Sequence, residues 1–291
     1  MYSAESLENL YDISCPPVKA ARGVDGYRLK TIAAGQMVEC EIYPLWSTRP
    51  KTRRAKTSVS CEAQARLNNV NSIKRLTRLI NANFNENDIW LTLTYNSHSL
   101  PDSIESAQRD TANYIRRLRR AAERAGYPAL KYIIVTETHE SDNTPVRIHH
   151  HMIINFSDRD TAESLWHAGR TQARRLQPDE FGFEGLARYL SKHKSSNNRR
   201  VSKRWRSSNH LIQPKVTIND RRVKRSHMNS IARSSEAERR DYFERLYPGC
   251  IYLDCRVRFS DYVPGAYLYV RMRRTAPPPS GLKRLTSRLI S

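Results

Sequence analysis

The sequence predicts an α+β fold, an antiparallel sheet flanked by helices, with a β-α-β-β-α-β core and N- and C-terminal additions. Three observations predict it. Short β-branched runs, WLTLTY (Trp90–Tyr95) and LKYIIVTE (Leu130–Glu137) among them, alternate with stretches whose apolar residues recur at helical spacing. Turn and breaker residues separate these segments, including Asn96, Ser97, Gly126, Pro128 and the stretch SDNTP. The resulting order, completed by a further helix, is that of helices laid on one face of a largely antiparallel sheet.

Taken in order, GYRLKTIAAGQMVECEIYPLW reads as a hairpin, Tyr27–Thr31 against Met37–Tyr43, around Ala34, Gly35 and Gln36. The basic linker STRPKTRRAKTS follows. Between Cys61 and Phe84, Leu67, Val70, Ile73, Leu76, Leu79 and Ile80 form one apolar helical stripe, with Arg and Lys between them as a basic face. After the strand Trp90–Tyr95, Asp102 or Ser103 caps a helix running to about Ala125, with Tyr114, Ile115, Leu118 and Ala122 inward. Gly126 and Pro128 stop it. The strands Leu130–Glu137 and Ile148–Phe156 flank the SDNTP loop. A short helix starts near Asp160, a strand covers Thr171–Leu176, and FEGLARYLSKHK forms a helix after Pro178. Beyond it come two basic stretches, a helix over Glu236–Leu246 and strands at Ile251–Phe259 and Ala266–Met272. The expected domains are residues 1–57, hairpin and linker; 58–200, the core; and 201–291, a basic α/β extension.

Charge bounds the partner. Lys and Arg outnumber Asp and Glu 50 to 29 in 291 residues, a formal net charge of +21, while aromatics hold at 9%. A folded basic domain of this kind fits a polyanion, because phosphate neutralisation and counterion release dominate non-specific nucleic-acid binding. No apolar run approaches the ~18 residues a membrane span needs, so no membrane partner is expected. The five cysteines form no CxxC pair and MYSAESLENL has no apolar signal core, which suits a reducing cytoplasm. A GxxxxGK[ST] loop is missing from the sequence, which argues against a built-in nucleotide motor.

Two segments carry candidate chemistry. In RIHHHMIINF, alternation puts Ile148, His150, Met152 and Ile154 on the apolar face and projects His149 and His151 from the other. Two imidazoles at i and i+2 can reach one metal ion, or simply face solvent. Glu137, at the end of the neighbouring strand, is the candidate third ligand if it pairs with position 149. A one-residue slip turns it away and promotes His139 or Glu140. In GLARYLSKHK, Tyr189 and Lys192 share a helix face, and the lysine can lower the barrier for a tyrosine nucleophile or neutralise phosphate charge. YxxK alone carries little weight, since fifteen tyrosines in a basic chain generate such spacings by chance.

The order of motifs carries more. WLTLTY, then VTE with RIHHHMII, then LARYLSK resembles the three motifs of the rolling-circle replication initiators, the HUH endonucleases, where a Thr-rich strand precedes a His-hydrophobic-His strand and a Tyr-x-x-Lys helix. RLNNVNSIKRLTRLINANFNENDIWLTLTY and KRWRSSNHLIQP are similar to replication-associated proteins of plasmids, integrative elements and filamentous-phage-like elements. The resemblance spans Tyr27 to Pro214. It implies a ferredoxin-like or RRM-like antiparallel core, a nicking and ligating domain at 58–200, His149, His151 and Glu137 as ligands of Mn²⁺ or Mg²⁺, and Tyr189 as nucleophile with Lys192 beside it. It further implies single-stranded and origin DNA as partner, with a host helicase and polymerase. Arg116, Arg117, Arg119, Arg120, Arg204 and Arg206 are the candidate backbone contacts and Trp205 the candidate stacking residue. Two departures stand out. His150 occupies the usually hydrophobic central position, so a skewed strand exchanges roles among the three histidines; and no second tyrosine lies one turn from Tyr189, where His193 and Gly185 stand. Transposases, conjugative relaxases and a catalytically silent replication-control protein share these features as alternatives.

Overall fold

The computed structural model describes residues 24–45, 62–137, 140–141, 144–145, 148–192, 205–259 and 265–276. In chain order these form β1 (Gly26–Ala34), β2 (Met37–Leu45), α1 (Glu62–Asn83), β3 (Ile89–Thr94), α2 (Ile104–Arg124), β4 (Tyr132–Glu137), β5 (Glu140–Ser141), β6 (Thr144–Pro145), β7 (His149–Ile154), α3 (Arg159–Ser164), β8 (Thr171–Arg175) and α4 (Glu184–Lys192). They continue with β9 (Arg206–Ser207), β10 (Lys215–Asn219), α5 (Arg225–Arg233), α6 (Glu236–Leu246), β11 (Cys250–Phe259) and β12 (Ala266–Arg274). The chain divides into two compact units, residues 1–78, 180–182 and 213–291 in one, 79–179 and 183–212 in the other.

The first unit is built on an antiparallel sheet in the order β10-β1-β2-β12-β11. Its hairpin turns at Gly35 and Gln36, with Ala34 opposite Met37 and Gly35 at φ 58°, a conformation a Cβ disfavours. Tyr27, Leu29, Cys40, Ile42, Leu268 and Val270 bury one face against Met228 and Ala232 of α5 and Phe243 of α6. Ser235 caps α6 in a reciprocal capping box with Glu238. The opposite strand positions carry charge: Arg78 of α1 bonds Glu39 at 2.6 Å and Glu41 at 2.8 Å. That arginine, on the expected solvated face of α1, is therefore tied into an ion-pair network. The sheet draws its strands from residues 26–45, 215–219 and 250–274, so the N-terminal hairpin and the C-terminal strands complete each other.

The second unit holds the core anticipated from the sequence, an antiparallel sheet in the order β8-β3-β7-β4-β9. Ile89, Leu91, Leu93, Ile134, Met152 and Ile154 bury one face against Tyr114, Ile115, Leu118 and Ala122 of α2. Ser103, rather than Asp102, caps α2 by accepting the Ser106 N–H, and Gly126 ends it at φ 73°. The second face is covered as well, which a single helical layer does not foresee. Ile133 and Ile153, opposite one another and each buried, make that face apolar, and α4 lies over part of it with Phe183, Ala187 and Leu190 buried. The buried Asn81 anchors the approach to α4 by accepting the Phe183 N–H at 2.9 Å. Between β4 and β7 the SDNTP turn closes the two-residue ladder β5-β6.

Candidate functional site

Register decides the site. Glu137 pairs with His149, Thr136 with His150 and Val135 with His151, so Glu137, His149 and His151 emerge on one face of adjacent strands. His139 lies outside the described residues, as does the side chain of Glu140. The three side chains converge: one ligand atom from each lies within 4.8 Å of the others. Glu137 Oε2 is 2.7 Å from His149 Nε2, and Glu137 Oε1 is 3.4 Å from His151 Nε2. Burial alone pushes the Glu137 carboxyl up, but hydrogen bonds and positive charge from the two histidines outweigh it and bring the pKa down to about 2. The group is an anion at neutral pH.

The imidazoles are oriented from behind. Thr92 Oγ1 on β3 lies 3.2 Å from His151 Nδ1, which directs Nε2 toward the carboxylate, and Trp90 stacks on the His151 ring at 4.9 Å between centroids. His151 is 3% exposed and its Nε2, buried, has no hydrogen bond among the described residues. A divalent cation fits this set: two nitrogen donors and one ionised oxygen within a span suited to bonds of about 2 Å, with a buried nitrogen left for it.

His150 takes the opposite role. It is fully buried among the residues that face α2, with Nδ1 2.9 Å from Thr136 Oγ1 and Nε2 3.0 Å from the Tyr95 hydroxyl. Tyr95 in turn donates to Asp110 at 3.3 Å. The network is consistent if Thr136 donates to Nδ1, Nε2–H donates to Tyr95 and Tyr95 donates to Asp110. Burial, with positive charge from Arg206 and the flanking histidines, pushes the His150 pKa down to about 3, so it is a neutral packing residue. The strand is not skewed, and the three histidines keep the division that alternation gives.

Tyr189 stands over this face on α4. Its ring meets Trp90 edge-on at 5.9 Å and His151 at 5.4 Å, and it remains 48% exposed. A large aromatic left half-open beside a buried carboxylate and two imidazoles is placed to receive a substrate rather than to fill a core. Lys192 ends the same helix, with its side chain outside the described residues.

The basic residues separate. Arg116, Arg119 and Arg120 are on α2, which packs on the sheet face opposite the Glu137 group, so the structure does not bring them to the site. Arg117, on the same helix, donates to the Leu165 carbonyl. Arg206 pairs with Ile134 on the α2 side of the sheet and donates to Thr111 Oγ1 at 2.7 Å, which gives it a packing role. Trp205 precedes it, half-buried, and Arg204 lies outside the described residues. Trp90 and Thr92 contribute to the site although sequence reasoning gave them no role. Their signal was parity: in WLTLTY, Trp90, Thr92 and Thr94 alternate onto the face that carries His151.

Fold and site together define an α+β protein whose antiparallel sheet carries a carboxylate–imidazole group able to hold a metal ion, with a half-exposed tyrosine beside it. Residues 88–194, which contain this whole group, match the replication-associated protein ORF2 family. No curated protein and no solved structure gives a significant match. No helix among the described residues is long and apolar enough to cross a membrane.

Proposed function

We propose that this protein is a rolling-circle replication initiator that nicks one DNA strand at an origin and later rejoins it by strand transfer. The observation that carries the reading is the convergence of Glu137, His149 and His151 beneath the exposed ring of Tyr189, inside the stretch similar to replication-associated proteins. Glu137, His149 and His151 hold the cation, Mn²⁺ or Mg²⁺, and Thr92 fixes the tautomer of His151. The bound cation supplies charge neutralisation at the scissile phosphate. The Tyr189 hydroxyl attacks that phosphorus: the Oη–P bond forms, the P–O3′ bond breaks, the tyrosine proton leaves and the departing 3′-oxygen takes one up. A 5′-phosphotyrosine and a free 3′-hydroxyl result. Because the phosphodiester is conserved, a 3′-hydroxyl attacking the phosphotyrosine reseals the strand without ATP. The free 3′-end primes a host polymerase, and strand opening falls to a host helicase.

The direct test incubates the protein and Mn²⁺ with single-stranded oligonucleotides tiling the DNA beside its gene, then looks for a covalent adduct on denaturing gels. An adduct is expected with wild type and none with Tyr189→Phe. Adduct formation undiminished in that variant removes Tyr189 as nucleophile. Strong binding without metal-dependent nicking favours a silent replication-control protein, and cleavage confined to transposon ends or a transfer origin moves the enzyme to those classes.

A further inference from the structure

On the reading of this face as a strand-cleavage site, we infer that single-stranded DNA approaches Tyr189 across the edge strand β8, with Arg170 and Arg174 holding its phosphates and Gln172 between them. Strand β8 is the outermost strand on the β3 side of the sheet. In its ladder with β3, Gln172 stands opposite Thr92 and Arg174 opposite Trp90. Residues directly opposite share a face, so both project from the surface that bears His149, His151 and Tyr189. Arg170 extends the same alternation, and its carbonyl accepts the Thr94 N–H at 2.9 Å. All three side chains are exposed, whereas Ala173, of opposite parity, is buried.

Position and charge agree. Strand β8 lies two strands from β7, about 10 Å at the spacing of neighbouring strands, within reach of one or two nucleotides from the Glu137 group. Arg170 and Arg174 are about 13 Å apart along the strand, so they grip two separate points of a chain rather than one phosphate. Among the described residues no carboxylate pairs with either guanidinium. The edge is closed to an added protein strand, because Glu163, just before the end of α3, already accepts the Ala173 N–H at 2.7 Å. What β8 offers outward is its side chains, two of them arginines, and a polyanion is their complement. The arginine-rich α2 lies on the other side of the sheet and cannot serve the same path.

The test measures binding of the full-length protein, in EDTA so that no cleavage occurs, to a labelled oligothymidylate of about 20 nucleotides, longer than a typical single-strand site. The affinity is followed against salt concentration. Each phosphate contact on a single strand contributes about 0.7 to the slope of log affinity against log salt, so Arg170→Gln with Arg174→Gln should lower the slope by about 1.4 and weaken binding about tenfold near 0.1 M salt. Lysine at both positions should restore the slope. An unchanged slope in the glutamine variant overturns the path, as does a larger change in Arg116→Gln, Arg119→Gln, Arg120→Gln, or tighter binding of an equally long duplex with the same dependence on Arg170 and Arg174. The two readings fail separately. A slope that depends on β8 without any adduct at Tyr189 keeps the path and removes the cleavage, and an adduct with a slope indifferent to β8 does the reverse.

Discussion

Glu137 stands directly opposite His149 across the β4–β7 pair, its Oε2 2.7 Å from His149 Nε2. A slip of one residue would turn the carboxylate to the α2 side and dismantle the group. The register is held by the next pair along, where the Thr136 hydroxyl reaches His150 Nδ1, and by the apolar contacts of Ile134 and Met152 below it. Packing on one face of the sheet thereby sets the chemistry of the other.

Replacing that carboxylate separates charge from shape. Glu137→Gln keeps the volume and a hydrogen-bond acceptor but removes the anion that two imidazoles stabilise. Mn²⁺ affinity, read by calorimetry, should fall by at least about tenfold, with the melting temperature of the metal-free protein little changed. Retention of wild-type affinity would rule out Glu137 as a ligand.

Thr92 acts one bond further out. Its hydroxyl is the partner of His151 Nδ1, and Thr92→Val preserves the β-branched shape while removing that partner. Metal affinity should drop about 10- to 100-fold, the range typical for lost partners of a ligating histidine, while circular dichroism stays unchanged. Thr92→Ser, which restores the hydroxyl, should recover most of the loss.

His150 predicts a pH dependence. Its folded pKa, near 3, lies below the ordinary 6.5, so the unfolded chain takes up a proton that the folded protein refuses throughout that window. Stability from this residue is complete above about pH 6.5 and declines as pH falls toward 3, at a limiting slope of about 1.4 kcal/mol per pH unit. Glu137, with its pKa brought down to about 2, adds an acid-side loss of the same sign below about pH 4.5. Urea unfolding of wild type and His150→Leu between pH 7 and 5 isolates the histidine: the variant should lose the slope whatever its stability at pH 7. Parallel curves would show that His150 is charged in the folded protein.

Much of this was legible in the chain. The core strands and helices follow from periodicity, and the split of HHH into a metal-facing pair and a buried member follows from strand alternation alone. The register that selects Glu137 does not, because it is fixed by contacts between residues far apart in sequence, such as Tyr95 with His150. The same limit hid the shared sheet of β1, β2 and β10 to β12, whose pairs span more than 180 residues, and strand β10, whose side chains are all exposed and so show no alternation. The run RRLRR drew attention as a charge cluster, yet charge density does not say which side of a sheet a helix covers. Arg170 and Arg174, two scattered arginines on a short strand, carried no composition signal.

Gly169 ties these levels together. A Cβ built there would lie 2.2 Å from the Thr94 carbonyl oxygen and 2.6 Å from the Asn96 nitrogen, both backbone atoms that cannot rotate away. The loop before β8 therefore approaches the end of β3 as closely as it does because residue 169 has no side chain, and Arg170 is delivered beside Thr94 by that contact. Gly169→Ala must push the loop outward and lengthen the bonds from Thr94 N and Thr94 Oγ1 to the Arg170 carbonyl. The expected loss is on the order of 1–3 kcal/mol in unfolding free energy, the usual range for overpacking. Hydrogen exchange should rise at Thr94 first, since its amide is the donor, with little change at Ile133 on β4, two strands away. If β8 carries the substrate, oligothymidylate affinity falls in the same variant while Mn²⁺ affinity is held, because Glu137, His149 and His151 belong to strands the loop does not touch. Loss of metal affinity in step with DNA affinity would mean that the variant disturbs the whole sheet and not its edge.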